Sequence, residues 1–283
     1  MIIDCDLWWH MSCGRDLITG VRLDWSKMYY TPVTDSYSDM HYTWLGDCIL
    51  FFTYHIGGIY GLQILRSLII GIMCWYLWEC SDKRLSFYKA LIFTAVIAGA
   101  HQSQLTRNNI SMLAFLPMCL YYSNENKVFK LFCTLLLWSQ IHGSALLGIV
   151  ISGILLMKNI SNIKMIIISI ILMIIIYFVL LYSGLDLIKY IKLPDHWRFL
   201  FGNTQGNISK DFMSPFLLSD RIYITVTFIL SLVTLLGVQK VNVLDGIIYI
   251  LTLITALGYV RMVGPHAIIC GYLLLKYETK RII

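Results

Sequence analysis

Apolar positions in this chain come in long blocks, not in the alternating faces of a soluble fold. From Gly57-Gly58 onward the blocks fall at roughly 58–80, 86–102, 109–123, 128–141, 144–157, 162–183, 221–238, 242–258 and 265–276. A helix needs about 20 apolar residues to cross a bilayer, and 58–80 has that length. Several other blocks are shorter, so they tilt little, recruit their flanks or sit among neighbouring helices. The pattern predicts an all-α integral membrane protein with about nine transmembrane helices. His142-Gly143 interrupts an apolar run and predicts a tight turn between two spans. Pro117 lies inside one block and predicts a kink.

The stretch ahead of these blocks reads differently. Residues 1–43 are polar and aromatic, with breakers at Gly14-Arg15-Asp16, Asp24-Trp25-Ser26-Lys27 and Thr31-Pro32. A short amphipathic helix is predicted from Trp8 to Thr19, with Trp8, Trp9 and Leu17 as its apolar contacts. Residues 44–56 are apolar but too short to span, so an interfacial helix is predicted there. The chain thus divides into residues 1–57, a segment of short juxtamembrane helices, and residues 58–283, a transmembrane helical domain with a loop at 184–220.

Composition agrees. Of 283 residues, 58% are hydrophobic and 13% charged, against about 25% charged in soluble domains. The placement of the basic residues says more than the net charge. Lys83, Arg84, Lys89, Lys127, Lys130, Lys158, Lys164, Lys240, Lys276, Lys280 and Arg281 fall in alternate connections, whereas the opposite short connections carry Arg107 and Arg261. The positive-inside rule makes the first group and the C-terminus cytoplasmic. Residues 1–57 and 184–220 then face outward. An outer segment with seven acidic and three basic residues before position 56 needs a helix ahead of it to be translocated. The expectation is that such a helix precedes Met1.

All seven histidines (His10, His41, His55, His101, His142, His196 and His266) fall on the outer side of this topology, with Asp4, Asp6, Asp16, Asp35, Asp39 and Asp47. Each has a plain structural explanation and a functional one. Asp4 and Asp6 suit a hard divalent cation or a catalytic base, or are a solvated acidic loop. Trp8 and Trp9 can stack on a sugar or lipid headgroup, but an interfacial aromatic belt accounts for them as readily. His10 is a metal ligand, a hydrogen-bond donor or a satisfied structural residue. Arg107 and Arg261 stand at outer mouths of spans, where guanidinium grips phosphate or snorkels to the interface. Arg66, with Gln63 one turn away, lies within a span and requires a partner. The eight cysteines form no metal-binding spacing. Cys74, Cys80, Cys119, Cys133 and Cys270 read as small core residues, and a disulfide is open among Cys5, Cys13 and Cys48. Nucleotide, zinc-protease and serine-hydrolase motifs are absent. No nucleic-acid partner is indicated.

The run Asp4-Cys5-Asp6-Leu7-Trp8-Trp9-His10, with Gly14-Arg15-Asp16-Leu17-Ile18 after it, resembles the DPDLWWH opening of a bacterial family of polytopic proteins grouped with GT-C-fold glycosyltransferases. Trp44-Leu45, Gly57-Gly58, Leu65-Arg66, Arg107-Asn108-Asn109, Trp138-Ser139-Gln140-Ile141-His142-Gly143, Asp211-Phe212-Met213-Ser214-Pro215 and Arg261 before Pro265 continue it in order. The resemblance implies a GT-C-like enzyme that moves a sugar from a polyprenyl-phosphate donor to an acceptor on the outer face. It implies Asp4 or Asp6 as base or metal ligand, with magnesium or manganese as the cation and His10 as a further ligand. Substrate contacts fall to Trp8, Trp9, His10, Arg107, His142 and Arg261. Cys5 stands where the family has proline, and His41-Tyr42-Thr43-Trp44-Leu45 lacks the glutamate of the family's HEWL.

The competing class is a non-catalytic transmembrane subunit that packs against membrane-protein partners. A cavity where Asp4, Asp6, Arg107 and His142 meet favours the enzyme, and a broad lateral interface favours the subunit. A transporter requires ionisable groups near the bilayer midplane, where Arg66 is the main candidate.

Overall fold

A computed structural model describes residues 5–19, 44–84, 86–100, 110–142, 144–158, 222–238, 241–259 and 262–278, with Cys5, Asp6, Trp9 and Glu278 described as backbone. Among these residues the fold is all-helical. The helices are α1 (Cys5–Ile18), α2 (Trp44–Glu79), α3 (Phe87–Gly99), α4 (Ser111–Asn124), α5 (Val128–Ile141), α6 (Ala145–Leu156), α7 (Ile222–Gly237), α8 (Val243–Gly258) and α9 (Val263–Glu278). Each apolar block from 58 to 157 and from 221 to 276 has become a helix. The 162–183 block and the 184–220 loop lie outside the described residues.

Length separates α2 from the rest. It is the one described helix long and apolar enough to cross a membrane. The others run from 12 to 16 residues, so the longest rises about 24 Å at 1.5 Å per residue, short of a hydrocarbon core of about 30 Å. The predicted break between the interfacial helix and the first span is present as a bend. Gly58 takes φ 55° and ψ −143°, a conformation open to glycine alone. The bend brings Gly61 against the Thr53 carbonyl, where an added Cβ would lie 2.5 Å from the oxygen.

Helix α9 is the centre of the bundle. From Val263 to Leu275 every residue is buried, and α3, α4, α7 and α8 pack around it. Gly99 of α3 abuts Thr227 and Ala267, and Gly271 abuts Val96, so α3 runs antiparallel to α9 at close range. The outward faces are apolar. On α2, Ile49, Phe52, Ile56, Tyr60, Ile64, Leu68, Ile72 and Trp75 are exposed, one face at helical spacing. Val243, Ile247, Ile250, Ile254 and Leu257 form the same stripe on α8. Cys133 belongs to such a face as well. It is exposed between Phe129 and Leu137, which corrects its reading as a core residue.

Helix α4 runs on through Pro117, although proline there forfeits the bond to the carbonyl of residue 113. The predicted turn at 142–143 separates α5 from α6. Trp138 is buried and stacks on Phe115 at 5.8 Å. It also lies against Gly148, where an added Cβ would come within 2.3 Å of the ring.

The basic connections meet at one end of the bundle. Lys276 donates to Asp245 (2.8 Å) and to Asn124 (2.9 Å). Lys158 donates to the same two residues at 3.3 Å. The Tyr76 and Tyr122 hydroxyls lie 2.7 Å apart and join the end of α2 to the end of α4. Lys89 is buried, not a solvated loop cation. It pairs with Asp82, donates to the Arg84 carbonyl (2.9 Å) and lies over Trp78.

Candidate functional site

The polar N-terminal motif folds as α1 and docks on α2. Leu7 and Met11 are buried against Leu50 and Leu62, with Tyr54 and Leu65 alongside. Residues 7, 11 and 14 share one side of a 3.6-residue helix. Gly14 sets this phase. A Cβ built on it would lie 2.1 Å from the Asp47 carbonyl oxygen, so this crossing admits glycine only. The expectation that Trp8 and Leu17 make the apolar contacts is corrected accordingly. Trp8 is 45% exposed and touches Tyr54 edge-on at 5.7 Å. Leu17 is half-buried.

One turn before Gly14, the His10 Nδ1 lies 2.7 Å from Asp47 Oδ1. Asp47 is 3% exposed in its side chain and His10 12%. A carboxylate accepts only, so the imidazole Nδ1–H donates. Nδ1 therefore carries a proton, and in a neutral ring Nε2 is the basic nitrogen. Two thiols flank the same carboxylate. Burial pushes the Cys13 thiol up to about 12, with the Asp47 and Asp16 carboxylates adding to the rise. Burial and Asp47 raise the Cys48 thiol as well. Both cysteines are free. Asp16 is buried and pairs with Arg15 at 2.8 Å.

The start of α2 is also tied to the far end of α5. Trp44 Nε1 donates to Gln140 Oε1 at 3.0 Å. Beyond Gln140, His142 Nδ1 accepts from the Ser144 N–H at 3.0 Å, with the Ser144 hydroxyl at 2.8 Å. Trp138 Nε1 donates to that hydroxyl at 3.2 Å. His142 thus uses its Nδ1 to form the α5–α6 turn. Docked α1, the start of α2 and the α5–α6 turn all lie at the end opposite Asp245.

The remaining predicted residues divide. Asp6 and Trp9 are placed on α1 as backbone, Asp6 four residues before His10. Asp4, Arg107, Arg261, His41, His101 and His196 lie outside the described residues, as does the meeting of Asp4 and Arg107 with His142. His55 stacks on Phe51 at 5.7 Å. Arg66 is half-buried on α2. Among the described residues no three His, Cys, Asp or Glu side chains gather as a metal site.

His266, one of the histidines assigned to the outer side, lies inside the bundle. It is fully buried, one turn into α9. Thr252 donates its hydroxyl to the Ile248 carbonyl at 3.0 Å, so it accepts from His266 Nδ1, also at 3.0 Å. Nε2 then accepts from the Ser231 hydroxyl at 3.0 Å. Tyr249 donates to the Ser231 carbonyl at 3.0 Å. Every polar group in this cluster has a partner, as buried polar groups require, and the cluster joins α7, α8 and α9.

Sequence reasoning named Asp47 only as one acid among several on the outer side. A lone carboxylate in the apolar run 44–56 was the available signal, because such a group needs a specific partner. No protein-family model, curated protein or solved structure matches this chain.

Proposed function

We propose that this chain is a GT-C-like integral membrane glycosyltransferase that moves a sugar from a polyprenyl phosphate to an acceptor hydroxyl on the outer face. What supports a membrane setting is the inversion of polarity: apolar stripes outside on α2 and α8, and a buried polar cluster around His266 inside. In this reading about nine helices cross or enter a bacterial inner membrane, with α1 outside and the C-terminus cytoplasmic.

One observation carries the functional part. The motif that resembles the family opening is a helix locked onto α2 by Gly14 and by His10–Asp47, not a loose acidic loop. Asp6 sits on that helix, and Asp4 precedes it. The motif supplies the base that activates the acceptor. Arg107 and Arg261 stabilise the leaving polyprenyl phosphate, and Trp8 and Trp9 offer aromatic faces to sugar or lipid headgroup.

Oxygen donors from Asp4 and Asp6 fit magnesium or manganese. His10 fits them less well, because hard cations prefer oxygen and its Nδ1 is held by Asp47. Such an ion supplies charge neutralisation for the departing phosphate. The test is Asp6→Asn in purified protein in nanodiscs with a radiolabelled polyprenyl-phosphate sugar. Sugar transfer is expected to be lost with expression and helical content intact, and unchanged transfer sinks the assignment.

A further inference from the structure

Helix α9 carries a pair of soft donors inside the bundle. His266 and Cys270 stand four residues apart on one face of that helix, and the Cys270 Sγ lies 3.5 Å from the His266 Nε2. We propose that this pair, with the Ser231 hydroxyl of α7, is a binding site for a soft monovalent metal ion, Cu(I).

The spacing is that of two ligands on one ion. Metal bonds of about 2.0 Å to nitrogen and about 2.3 Å to sulfur, meeting at a near-tetrahedral angle, hold the two atoms about 3.5 Å apart. The imidazole is also held in the tautomer a ligand needs. Its Nδ1–H donates to Thr252 at 3.0 Å, and Thr252 is fixed in turn to the Ile248 and Tyr249 carbonyls at 3.0 and 3.1 Å. A metal-binding histidine is anchored in this way through its other nitrogen. The lone pair on Nε2 then faces two donors at once, the Ser231 hydroxyl at 3.0 Å and the Cys270 thiol at 3.5 Å. One lone pair serves one such proton well, whereas a cation draws nitrogen, sulfur and oxygen lone pairs to a single point.

Charge and coordination number choose the ion. Thiolate and imidazole suit copper and zinc alike. A structural zinc takes four ligands, and among the described residues no further His, Cys, Asp or Glu joins the pair. Cu(I) accepts fewer. The thiolate also cancels the single charge of Cu(I). His266 and Cys270 are fully buried, so a neutral complex is admitted there, whereas zinc would leave a net positive charge away from water.

Binding balances without a redox step. The thiol proton passes to water, the sulfur electron pair bonds to the ion, and copper stays as Cu(I) throughout. Ser231 turns its oxygen to the ion and its hydroxyl proton to the Tyr249 hydroxyl, 2.7 Å away, so no buried polar group is orphaned.

The test uses the full chain in nanodiscs without oxygen, with Cu(I) supplied as its bicinchoninate complex. Wild type is expected to withdraw copper from that chelator. At one ion per chain, X-ray absorption at the copper edge should show sulfur and imidazole nitrogen together around the metal. The chain has eight cysteines, so wild type is compared with variants. Cys270→Ser and His266→Gln should each bind one ion fewer, with helical content unchanged. Thr252→Val removes the anchor and no ligand, and should weaken binding roughly 10- to 100-fold. A copper shell of sulfur alone in wild type overturns the proposal, whether or not the variants fold. Equal copper binding by wild type, Cys270→Ser and His266→Gln overturns it too, as does a wild type that withdraws no copper. None of these outcomes touches the glycosyltransferase reading, which Asp6→Asn tests.

Discussion

Asp47 and Asp245 are both buried carboxylates, and they occupy opposite ends of the bundle. Their partners differ in kind. Asp245 accepts from the ammonium groups of Lys276 and Lys158 and from the Tyr277 hydroxyl at 2.5 Å. Asn124 and Tyr272 close the network at 2.6 Å. Asp47 meets an imidazole. Lysine offers donors only, whereas imidazole can donate from one ring nitrogen and accept at the other. The Asp245 end ties α4, α6, α8 and α9 through ammonium and hydroxyl donors, and the Asp47 end ties α1 to α2 through an imidazole. Burial is common to both carboxylates; the chemistry of the partner is what sets them apart.

The sharpest way to break the comparison is to remove the fixed tie. Asp245→Ala leaves two lysines facing each other across a buried gap, and loss of one member of a buried ion network costs roughly 3–5 kcal/mol. Thermal unfolding in nanodiscs should register this, and Asp245→Asn combined with Lys276→Met should recover a good part. If Asp245→Ala is as stable as wild type, the tie is not what holds these helices. Next in size, Gly14→Val forces a side chain into the Asp47 carbonyl and should cost about 1–3 kcal/mol. Limited proteolysis should then cut α1 free while the bundle resists.

His266→Leu should cost a comparable or smaller amount, about 1–3 kcal/mol, because Ser231 loses its buried acceptor. A stability equal to wild type would mean that Ser231 finds a substitute acceptor. The smallest effect is at Cys13. Burial pushes its thiol up to about 12 in the fold, whereas the unfolded chain ionises it at the ordinary value of 9.0. The folded state binds the extra proton, so stability falls as pH rises through that window. Cys13→Ser should remove that part of the slope, measured by unfolding between pH 9 and 12. At neutral pH, maleimide should label Cys13 slowly, and Gly14→Val should speed that labelling by undocking α1.

Helix positions were legible because each apolar block ends at a local signal: Gly57-Gly58, the Lys83-Arg84 connection, His142-Gly143. The alternation of basic connections was legible too, and those that are described do meet at one end. The phase of α1 was not. Periodicity offers Trp8 and Leu17 as readily as Leu7 and Met11, and the choice falls to a backbone contact between Gly14 and Asp47. The His10–Asp47 bond joins residues 37 apart in sequence, and Lys276–Asn124 joins residues 152 apart. No local pattern encodes such pairings. The topology assigned His266 to the outer side and said nothing of its burial, and its partners come from two other helices. What could be read of the candidate site was its residue types on the motif; what could not was which acid answers which base.

The bend at Gly58 has a mechanical side. A helix broken at one glycine is two rods on a pivot, and a pivot left alone would let the short rod swing. Helix α1 lies across that pivot, with Leu7 and Met11 gripping Leu50 on one rod and Leu62 on the other. It works as a splint, setting the angle of the elbow. The same helix that carries the acidic motif therefore sets the angle between the two rods, so a change that loosens α1 frees the elbow and shifts Asp47 with the shorter rod.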